Sequence, residues 1–203
     1  MEHMENSILL RGELEQLPQF SHENHHKRFY RFVLSVPRLS GTVDLLPVIA
    51  EEQLINTMDL FGGAMVQVQG QIRSHNLREN GIRRLLIFVF ASAICTTDEP
   101  ATNEVVLQGP LCRQPILRRT PLGREICDVM LAVPRAFKRA DYLPCILWGR
   151  TAQEVSNCHT SDVIRIQGRL QSRVYSKLSE EGMQERTTYE ISALTAQIID
   201  EIL

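Results

Sequence analysis

The 203-residue sequence contains few aromatic side chains and no long apolar run. Phe, Trp and Tyr together make up 6% of it, and Trp148 is its one tryptophan. No stretch reaches the ~18 consecutive apolar residues of a membrane-spanning helix. The opening MEHMENSILL is acidic and then briefly apolar, unlike a signal peptide. We therefore expect a cytoplasmic protein without a membrane segment. The 43% share of hydrophobic residues suffices for a packed core.

The sequence also lacks the cysteine pattern of a disulfide framework or a zinc site. Its five cysteines are widely spaced and form no C-x-x-C pair. We interpret them as reduced and mostly buried side chains. They are Cys95, Cys112, Cys127, Cys145 and Cys158.

Catalytic and metal-binding constellations are missing as well. Cys158 stands beside His159, but neighbours in sequence rarely face each other, so they make a weak nucleophile–base pair. His22, His25 and His26 share one segment without a further metal ligand at suitable spacing. No glycine-rich motif that cradles phosphates is present. We predict no enzymatic activity, no cofactor and no metal site.

Charge is distributed unevenly along the chain. The formal net charge of -2 by itself argues against a polyanion partner. Residues 113–177, however, contain twelve Lys or Arg against five Asp or Glu, whereas residues 16–78 contain six against five. A basic half beside a near-neutral half indicates that only one of them meets a polyanion. Chance clustering of charge on a solvated face is the alternative that remains open.

The two halves are repeats of one unit. A displacement of 97 positions brings many identical residues together, including Asn6 with Asn103, Gly12 with Gly109, Asp44 with Asp141, and Val36-Pro37-Arg38 with residues 133–135. After one inserted residue, VQVQGQIRS from Val66 aligns with IRIQGRLQS from Ile164. We predict a first unit at residues 1–97, a polar linker at 98–102 and a second unit at 103–203.

Each unit is predicted to hold five strands, with a short helix between the third and the fourth. The first unit's strands are expected near 8–14, 29–36, 45–50, 66–72 and 85–94, with the helix near 51–59. Those of the second are expected near 105–111, 126–133, 142–148, 164–170 and 188–198, with the helix near 150–157. The polar segments HENHH and RRTPLGRE are expected to be loops.

This order of elements predicts the fold class. Five strands and one helix in about 95 residues are typical of an OB-fold barrel. The rival immunoglobulin-like sandwich would need about seven strands and no helix. We therefore predict an all-β protein with short helices, built as two tandem five-stranded OB-fold barrels related by the internal repeat.

Residues 141–177 interleave aromatic and cationic side chains. Trp148 lies between Tyr142 and Tyr175, and four arginines run through the same segment: Arg150, Arg165, Arg169 and Arg173. Bases stack on rings and phosphates pair with guanidinium groups, so this pattern favours a single-stranded nucleic acid. Arg165, Arg169 and Arg173 are spaced by four and share one face of a strand. A buried tryptophan and a merely solvated arginine face remain the alternatives.

The second unit resembles the bacterial single-stranded DNA-binding proteins over nearly its whole length. The resemblance is carried by NEVVLQGPLCRQPILRRTPLGREI, DYLPCILWGRTAQE and GRLQSRVYSKLSEEGMQERTTYEIS. It implies that bases stack on four rings: Phe137, Tyr142, Trp148 and Tyr175. The first unit is similar to the same family mainly through NSILLRGEL, its Val-Pro dipeptide and VQVQGQIRS. It holds non-aromatic residues at the corresponding places, among them Ser40, Leu45 and Glu51.

We accordingly predict a non-catalytic protein that binds single-stranded DNA largely without regard to sequence, in replication, repair or recombination. RNA is a variant ligand, since stacking hardly distinguishes the sugars. The cations expected at the phosphates are Arg118, Arg119, Arg124, Arg150, Arg165, Arg169, Arg173 and Lys177. The alternative function is an OB-fold interaction module of a replication or primosome assembly, with weak nucleic-acid affinity.

The resemblance also implies partners. Such proteins present four OB domains together, so two per chain imply a homodimer in which the first unit serves assembly. Replication proteins are further candidate partners. The sequence reaches IIDEIL directly after its last predicted strand, where family members continue into a flexible tail with an acidic tip. We expect no recruitment of partners through such a tail.

Overall fold

The computed structural model describes residues 5–57, 60–79, 82–137, 139–179 and 182–199, and most of them lie in β-strands. The first unit contains β1 (Asn6–Leu14), β2 (Gln19–Asn24), β3 (Lys27–Pro37), β4 (Val43–Glu51), α1 (Glu52–Ile55), β5 (Met65–Glu79) and β6 (Ile82–Thr96). The second repeats the order with β7 (Thr102–Pro110), β8 (Ile116–Arg119), β9 (Glu125–Arg135), β10 (Arg139–Trp148), α2 (Gly149–Ser156), β11 (Val163–Ser179) and β12 (Gly182–Ile199).

Each unit closes into a small barrel. In the first, β1 pairs with β5, β5 with β6, β6 in parallel with β4, and β4 with β3. The ring closes where β3 returns to β1, at Leu14 opposite Leu34. The second barrel closes at the counterpart positions, Leu111 opposite Leu131. Both helices stand between the third and fourth barrel strands, which confirms the predicted fold class.

The prediction that HENHH and RRTPLGRE form loops was right for the turns at His25–His26 and at residues 120–124 and wrong for the rest, which belongs to strands. The first lies in a hairpin of β2 and β3 that turns at His25 and His26, whose φ angles are 49° and 59°. The second lies in a hairpin of β8 and β9, with Arg119 opposite Glu125. Both added strands are almost wholly exposed, so they show no alternation of apolar and polar residues from which a strand could be predicted.

The two helices differ in how well the sequence predicted them. α2 lies close to its predicted position, since Ala152 and Val155 anchor it in the core. α1 is a single turn without a buried residue and stops well short of the predicted end. Two residues of that predicted segment, Met58 and Asp59, lie outside the described part of the chain. Neither helix is long and apolar enough to cross a membrane, as far as the described residues extend.

The barrels are filled by branched aliphatic side chains from alternating strand positions. Counterparts in the repeat occupy equal places and are fully buried: Leu10 and Leu107, Leu34 and Leu131, Leu46 and Leu143. Each such side chain stabilises the fold by roughly 1.5–3 kcal/mol relative to an exposed one. The repeat in sequence is therefore a repeat of the hydrophobic core.

The two barrels share one sheet of twelve strands. Its order is β2-β3-β4-β6-β5-β1-β7-β11-β12-β10-β9-β8, which reads the same from both ends once repeat counterparts are equated. The junction is an antiparallel pairing of β1 with β7, in which Ile8 lies opposite Val105. These two residues are counterparts at the displacement of 97, so a pseudo-twofold axis passes between them.

Two buried aspartates brace the boundary between the units. Asp44 is fully buried and accepts hydrogen bonds from Arg38 at 2.7 and 2.5 Å. It also accepts from the amide and hydroxyl of Ser172, in the other unit, at 2.7 and 2.8 Å. Burial raises the pKa of Asp44, but the bonds from Arg38 and Ser172 outweigh it and hold the pKa below its ordinary value.

The pseudo-twofold counterpart repeats this arrangement in the opposite direction. Asp141 is fully buried and accepts from Arg135 at 3.2 Å and from the amide of Ser74, in the first unit, at 2.6 Å. We call these two clusters the reciprocal Arg–Asp–Ser contacts. A buried carboxylate without partners is strongly destabilising. Because each aspartate accepts hydrogen bonds from a serine of the other unit, each unit is stable only when the other is folded beside it.

Asp44→Asn is expected to lower the free energy of unfolding by about 3 kcal/mol at pH 7, because Arg38 loses its buried partner. The pKa of Asp44 is lower in the folded than in the unfolded chain. The extra stability of the wild type is therefore fully present above about pH 4, the approximate pKa of Asp44 in the unfolded chain. It is lost as the pH falls from there towards the lower pKa of the folded chain. Urea unfolding at pH 7 and at pH 3 measures both effects.

The control for this substitution is Asp98→Asn, which removes an exposed carboxylate between β6 and β7. Its unfolding free energy should match the wild type at both pH values. Equal stability of the Asp44 and Asp98 variants at pH 7 would contradict the bracing role.

Candidate nucleic-acid interface

A groove of about 650 Å³ runs over the outer face of the second unit. Its floor crosses neighbouring strands and includes Ile126 of β9, Ile146 and Trp148 of β10, and Ser192 and Ala193 of β12. Arginines surround this floor: Arg118, Arg124, Arg169 and Arg173 of the second unit, and Arg38 of the first. The lining includes one carboxylate, Glu190. An apolar floor within a cationic rim suits bases that carry phosphates.

Trp148 lies on the groove side of β10. Leu143 and Leu147 of this strand point into the barrel and are fully buried, whereas Tyr142 and Trp148 point outward. The indole Nε1 of Trp148 donates a hydrogen bond to Oγ of Ser192 at 3.2 Å. The side chain remains 37% exposed. The ring is thus fixed at one edge and still accessible to a base.

A β-bulge fixes the hydroxyl that holds Trp148. The pairing of β11 with β12 shifts register between Gln167 and Gly168, which leaves Leu194 unpaired and 71% exposed. Gly168 is required there, since a Cβ atom would lie 2.2 Å from the carbonyl oxygen of Ser192. The bulge therefore sets the position of Ser192 opposite Arg169, beneath the groove.

The groove arginines differ in how far they are already paired. Arg118 forms an ion pair with Asp128, and its Nη2 lies 3.2 Å from Oδ1. The Nε of Arg169 is buried and has no hydrogen-bond partner among the described residues. Arg173 is exposed on the same side of β11. Glu190 accepts a hydrogen bond from Gln171 rather than from an arginine. The cations of the groove therefore outnumber the carboxylates that neutralise them.

Three predicted cations lie outside this groove. Arg150 pairs with Glu154 on the exposed face of α2 at 2.8 Å. Arg165 lies beyond the bulge from Arg169 and pairs with Glu5 at 2.8 Å. Arg119 pairs with Glu125 in the β8–β9 hairpin at 3.0 Å. The backbone of Lys177 belongs to β11, but its side chain lies outside the described part of the protein.

The other predicted rings are exposed but do not line the groove. Tyr142 begins the outward face of β10 and is 46% exposed. Tyr175 lies on the β11–β12 hairpin and is 41% exposed. Phe137 is almost fully exposed in the turn before β10, at a φ of 61° that non-glycine residues seldom adopt. Trp148 is thus the one predicted ring that lines the groove.

Sequence reasoning missed the contribution of the first unit to the groove. Arg38 was not among the predicted cations, yet it lines the groove beside Ser172 and Arg173. A signal was present, since the residues of both reciprocal Arg–Asp–Ser contacts recur at displacements of 97 or 98. Such polar identities in a diverged repeat indicate a contact that both copies need.

The same face of the first unit is closed by aromatic packing. Phe90 pairs with Gln71 in the first unit, and Ser192 pairs with Arg169 in the second. Phe90 and Ser192 are therefore structural counterparts. The ring of Phe90 lies 5.9 Å from that of Phe29.

Two further side chains cover these rings. His22 stacks on Phe29 at 4.9 Å, and the Arg73 guanidinium lies 5.4 Å from the Phe90 ring centroid. Glu51 takes the place of Trp148 and pairs with Lys27. The first unit does lack rings at the positions that the resemblance implied, but it contains others, which pack against each other.

No alternative chemistry is apparent in the described part of the protein. Burial raises the pKa of the Cys127 thiol to about 11 and also raises the pKa values of Cys112 and Cys158. Thiols held in the protonated form are poor nucleophiles. Among the residues described, no three His, Cys, Asp or Glu side chains converge as metal ligands.

Gly168→Ala is expected to lower the free energy of unfolding by about 2 kcal/mol, because the new methyl group meets the Ser192 carbonyl. It should also shift the emission of Trp148, whose indole Ser192 holds. Urea unfolding followed by tryptophan fluorescence reports both. Gly62→Ala is the control, since a Cβ there meets nothing within 4 Å. A Gly168→Ala variant as stable as this control would refute the packing argument.

Comparison with known proteins relates the second unit to one family. A model of the Single-strand binding protein family matches residues 102–199. The single-stranded DNA-binding protein B of Bacillus subtilis (strain 168) is 37% identical over 105 residues, with 48% of this chain and 90% of the relative covered. The single-stranded DNA-binding protein of Oceanobacillus iheyensis is 33% identical over 107 residues, with 48% of this chain and 63% of the relative covered.

Comparison of structures extends the likeness to both units. The crystal structure of the wild-type single-stranded DNA binding protein from Thermus aquaticus has a TM-score of 0.80, covering 98% of this chain and 94% of that chain. At 22% identity this likeness concerns the fold. The sequence comparisons confirm the resemblance seen in the second unit. The chain belongs to the single-strand binding protein family.

Proposed function

We propose that this chain is a non-catalytic single-stranded DNA-binding protein and that the strand lies in the groove of the second unit. The observation that carries the proposal is the accessible indole of Trp148 on the floor of a groove rimmed by arginines. Stacking on an aromatic face is available to every base, so binding would be largely independent of sequence. The names of the relatives in the same family support this ligand.

The predicted residues take graded roles in this proposal. Trp148 stacks a base, while four groove arginines contact the phosphates: Arg118, Arg124, Arg169 and Arg173. Tyr142 lies six residues from Trp148 along β10, about 20 Å at strand spacing, and serves a more distant base. Tyr175 and Phe137 serve as peripheral rings. Arg119, Arg150, Arg165 and Lys177 contribute general attraction for the polyanion.

We further propose different roles for the two units. Residues 103–203 bind the strand, whereas residues 1–97 serve assembly, because the corresponding face of the first unit is filled by its own rings. The pathway is replication, repair or recombination, and the compartment is the cytoplasm, where buried free thiols persist. Replication proteins are the proposed protein partners.

The proposed binding is expected to appear as quenching of the Trp148 fluorescence by an oligothymidine of about 30 nucleotides. Because binding releases counterions from phosphates, affinity should fall as the salt concentration rises. In a plot of log binding constant against log salt concentration, each phosphate contacted adds about 0.7 to the steepness of the slope. Saturable quenching that weakens with salt is the expected result. Millimolar affinity with unchanged fluorescence would favour the interaction-module alternative, and oligouridine in the same assay tests RNA.

Tyr142→Ala is expected to weaken oligothymidine binding about tenfold, since a stacked base contributes roughly 1–3 kcal/mol. The first unit supplies a matched control in Leu45→Ala, because Leu45 is the repeat counterpart and is equally exposed. The control should bind like the wild type in a fluorescence titration. Equal losses in both variants would contradict the assignment of binding to the second unit.

A homodimer that presents four barrels is the proposed assembly. Light scattering at micromolar concentration should give about twice the chain mass of 23.2 kDa. The supporting observation is that one chain already joins two barrels about a pseudo-twofold axis. A monomer mass at all concentrations up to about 100 μM, with binding intact, would rule out the assembly while leaving the ligand proposal standing.

A further inference from the structure

Arg38 belongs to the first unit in sequence but lies at the groove of the second. It follows β3, and its Nη2 donates a hydrogen bond to the Ser172 carbonyl of β11 at 2.7 Å. The neighbours of Ser172, Gln171 and Arg173, both line the groove, as Arg38 itself does. The reciprocal Arg–Asp–Ser contact therefore carries a cation across the boundary into the proposed binding site.

The groove does not end at Arg38. A second depression of about 410 Å³ lies at the boundary between the units. Its lining includes Leu39 of the first unit and Pro100 of the connecting segment. Arg38 and Arg169 line both cavities, so the two form a continuous path along the surface.

Both shared arginines retain unused hydrogen-bond donors. A guanidinium has five N–H groups. Arg38 uses one at Nε and two at Nη2, on Asp44 and Ser172, and the two at Nη1 have no partner among the residues described. The Nε of Arg169 is buried and unpartnered within that same set of residues. Two guanidinium groups with unused donors that line the same cavities are suited to bind an anion between them.

We propose that a backbone phosphate of the bound strand lies between Arg38 and Arg169, so that the strand crosses from the second unit's groove onto the boundary between the units. This inference rests on the proposed function, since it assumes that the groove holds single-stranded DNA. It gives the first unit a direct contact with the ligand although the corresponding face of that unit is closed.

The pseudo-twofold axis supplies a matched pair of variants. Arg38→Gln removes the guanidinium partner of the buried Asp44, and Arg135→Gln removes the nearer of the two guanidinium partners of the buried Asp141, so both should destabilise the chain. Arg135 does not line the groove of the second unit. With oligothymidine of about 30 nucleotides at roughly 50 mM salt, Arg38→Gln should weaken binding about tenfold and reduce the log–log salt slope by about 0.7. Arg135→Gln should leave affinity within about twofold and the slope unchanged.

A second variant tests the same phosphate without loss of an ion pair. Arg169→Gln should also weaken binding, but the slope should fall by no more than about 0.7 in total when both arginines are replaced, because they contact one phosphate. If both arginines contact one phosphate, the Arg38→Gln/Arg169→Gln double variant should lose less affinity than the product of the single losses. If Arg38→Gln and Arg135→Gln both unfold, Arg38→Lys and Arg135→Lys repeat the comparison. Weaker binding is then expected for Arg38→Lys alone.

The outcomes separate this inference from the proposed function. A wild-type chain that neither binds oligothymidine nor shows quenching of Trp148 would overturn both. Binding and quenching by the wild type, with equal effects of Arg38→Gln and Arg135→Gln, would overturn only the contact between the phosphate and Arg38. Multiplicative losses in the double variant would overturn the shared phosphate.

Discussion

Two buried aspartates join the halves of this protein. Asp44 and Asp141 lose all contact with water, and each recovers hydrogen bonds partly from a serine of the other unit. Neither barrel alone can supply those donors. Together with the pairing of β1 and β7, the reciprocal contacts make one sheet of twelve strands from two barrels. They also fix Arg38 beside the groove, so the stability of the boundary and the chemistry of the proposed site share the same residues.

The two units of one scaffold differ in the surface that they present on the same face. In the second, the serine that holds Trp148 leaves the indole accessible, and the surrounding arginines exceed their carboxylate partners. In the first, Phe90 occupies the place of that serine and packs on Phe29, so the face is filled from within. The barrel cores remain apolar throughout, and identical leucines fill several counterpart positions, among them Leu10 and Leu107, and Leu34 and Leu131. Divergence has concentrated on the outer face, where side chains do not determine the fold.

Much of this architecture could be predicted from the repeat. Identical residues at a displacement of 97 implied two like barrels, and the alternation of apolar residues located every barrel strand. The edge strands β2 and β8 could not be predicted, because an exposed hairpin places polar residues on both faces and shows no period. The end of α1 was misplaced since no residue of that turn is buried. Local patterns predict elements that bury one face and fail for those that bury none.

The candidate site was predictable in its residues and not in their arrangement. The composition of residues 141–177 indicated Trp148 and the arginines as candidate binding residues. The spacing of four residues, however, predicted Arg165 on the same strand face as Arg169 and Arg173. The structure separates it by the bulge at Gly168 and pairs it with Glu5. The position of Arg38 depends on its contacts with residues of the other unit, which are far away in the sequence and which local patterns do not predict. Only the recurrence of its partners in the repeat pointed towards such a contact.

A single strand that lies over Trp148 in the groove of the second unit should change the environment of the indole group. The most direct measurement is the ¹⁵N–¹H spectrum of the indole group, because the chain contains one tryptophan and therefore one indole signal. Addition of oligothymidine should shift or broaden that signal in proportion to the bound fraction. An indole signal that stays unchanged while backbone signals show saturated binding would place the strand away from Trp148.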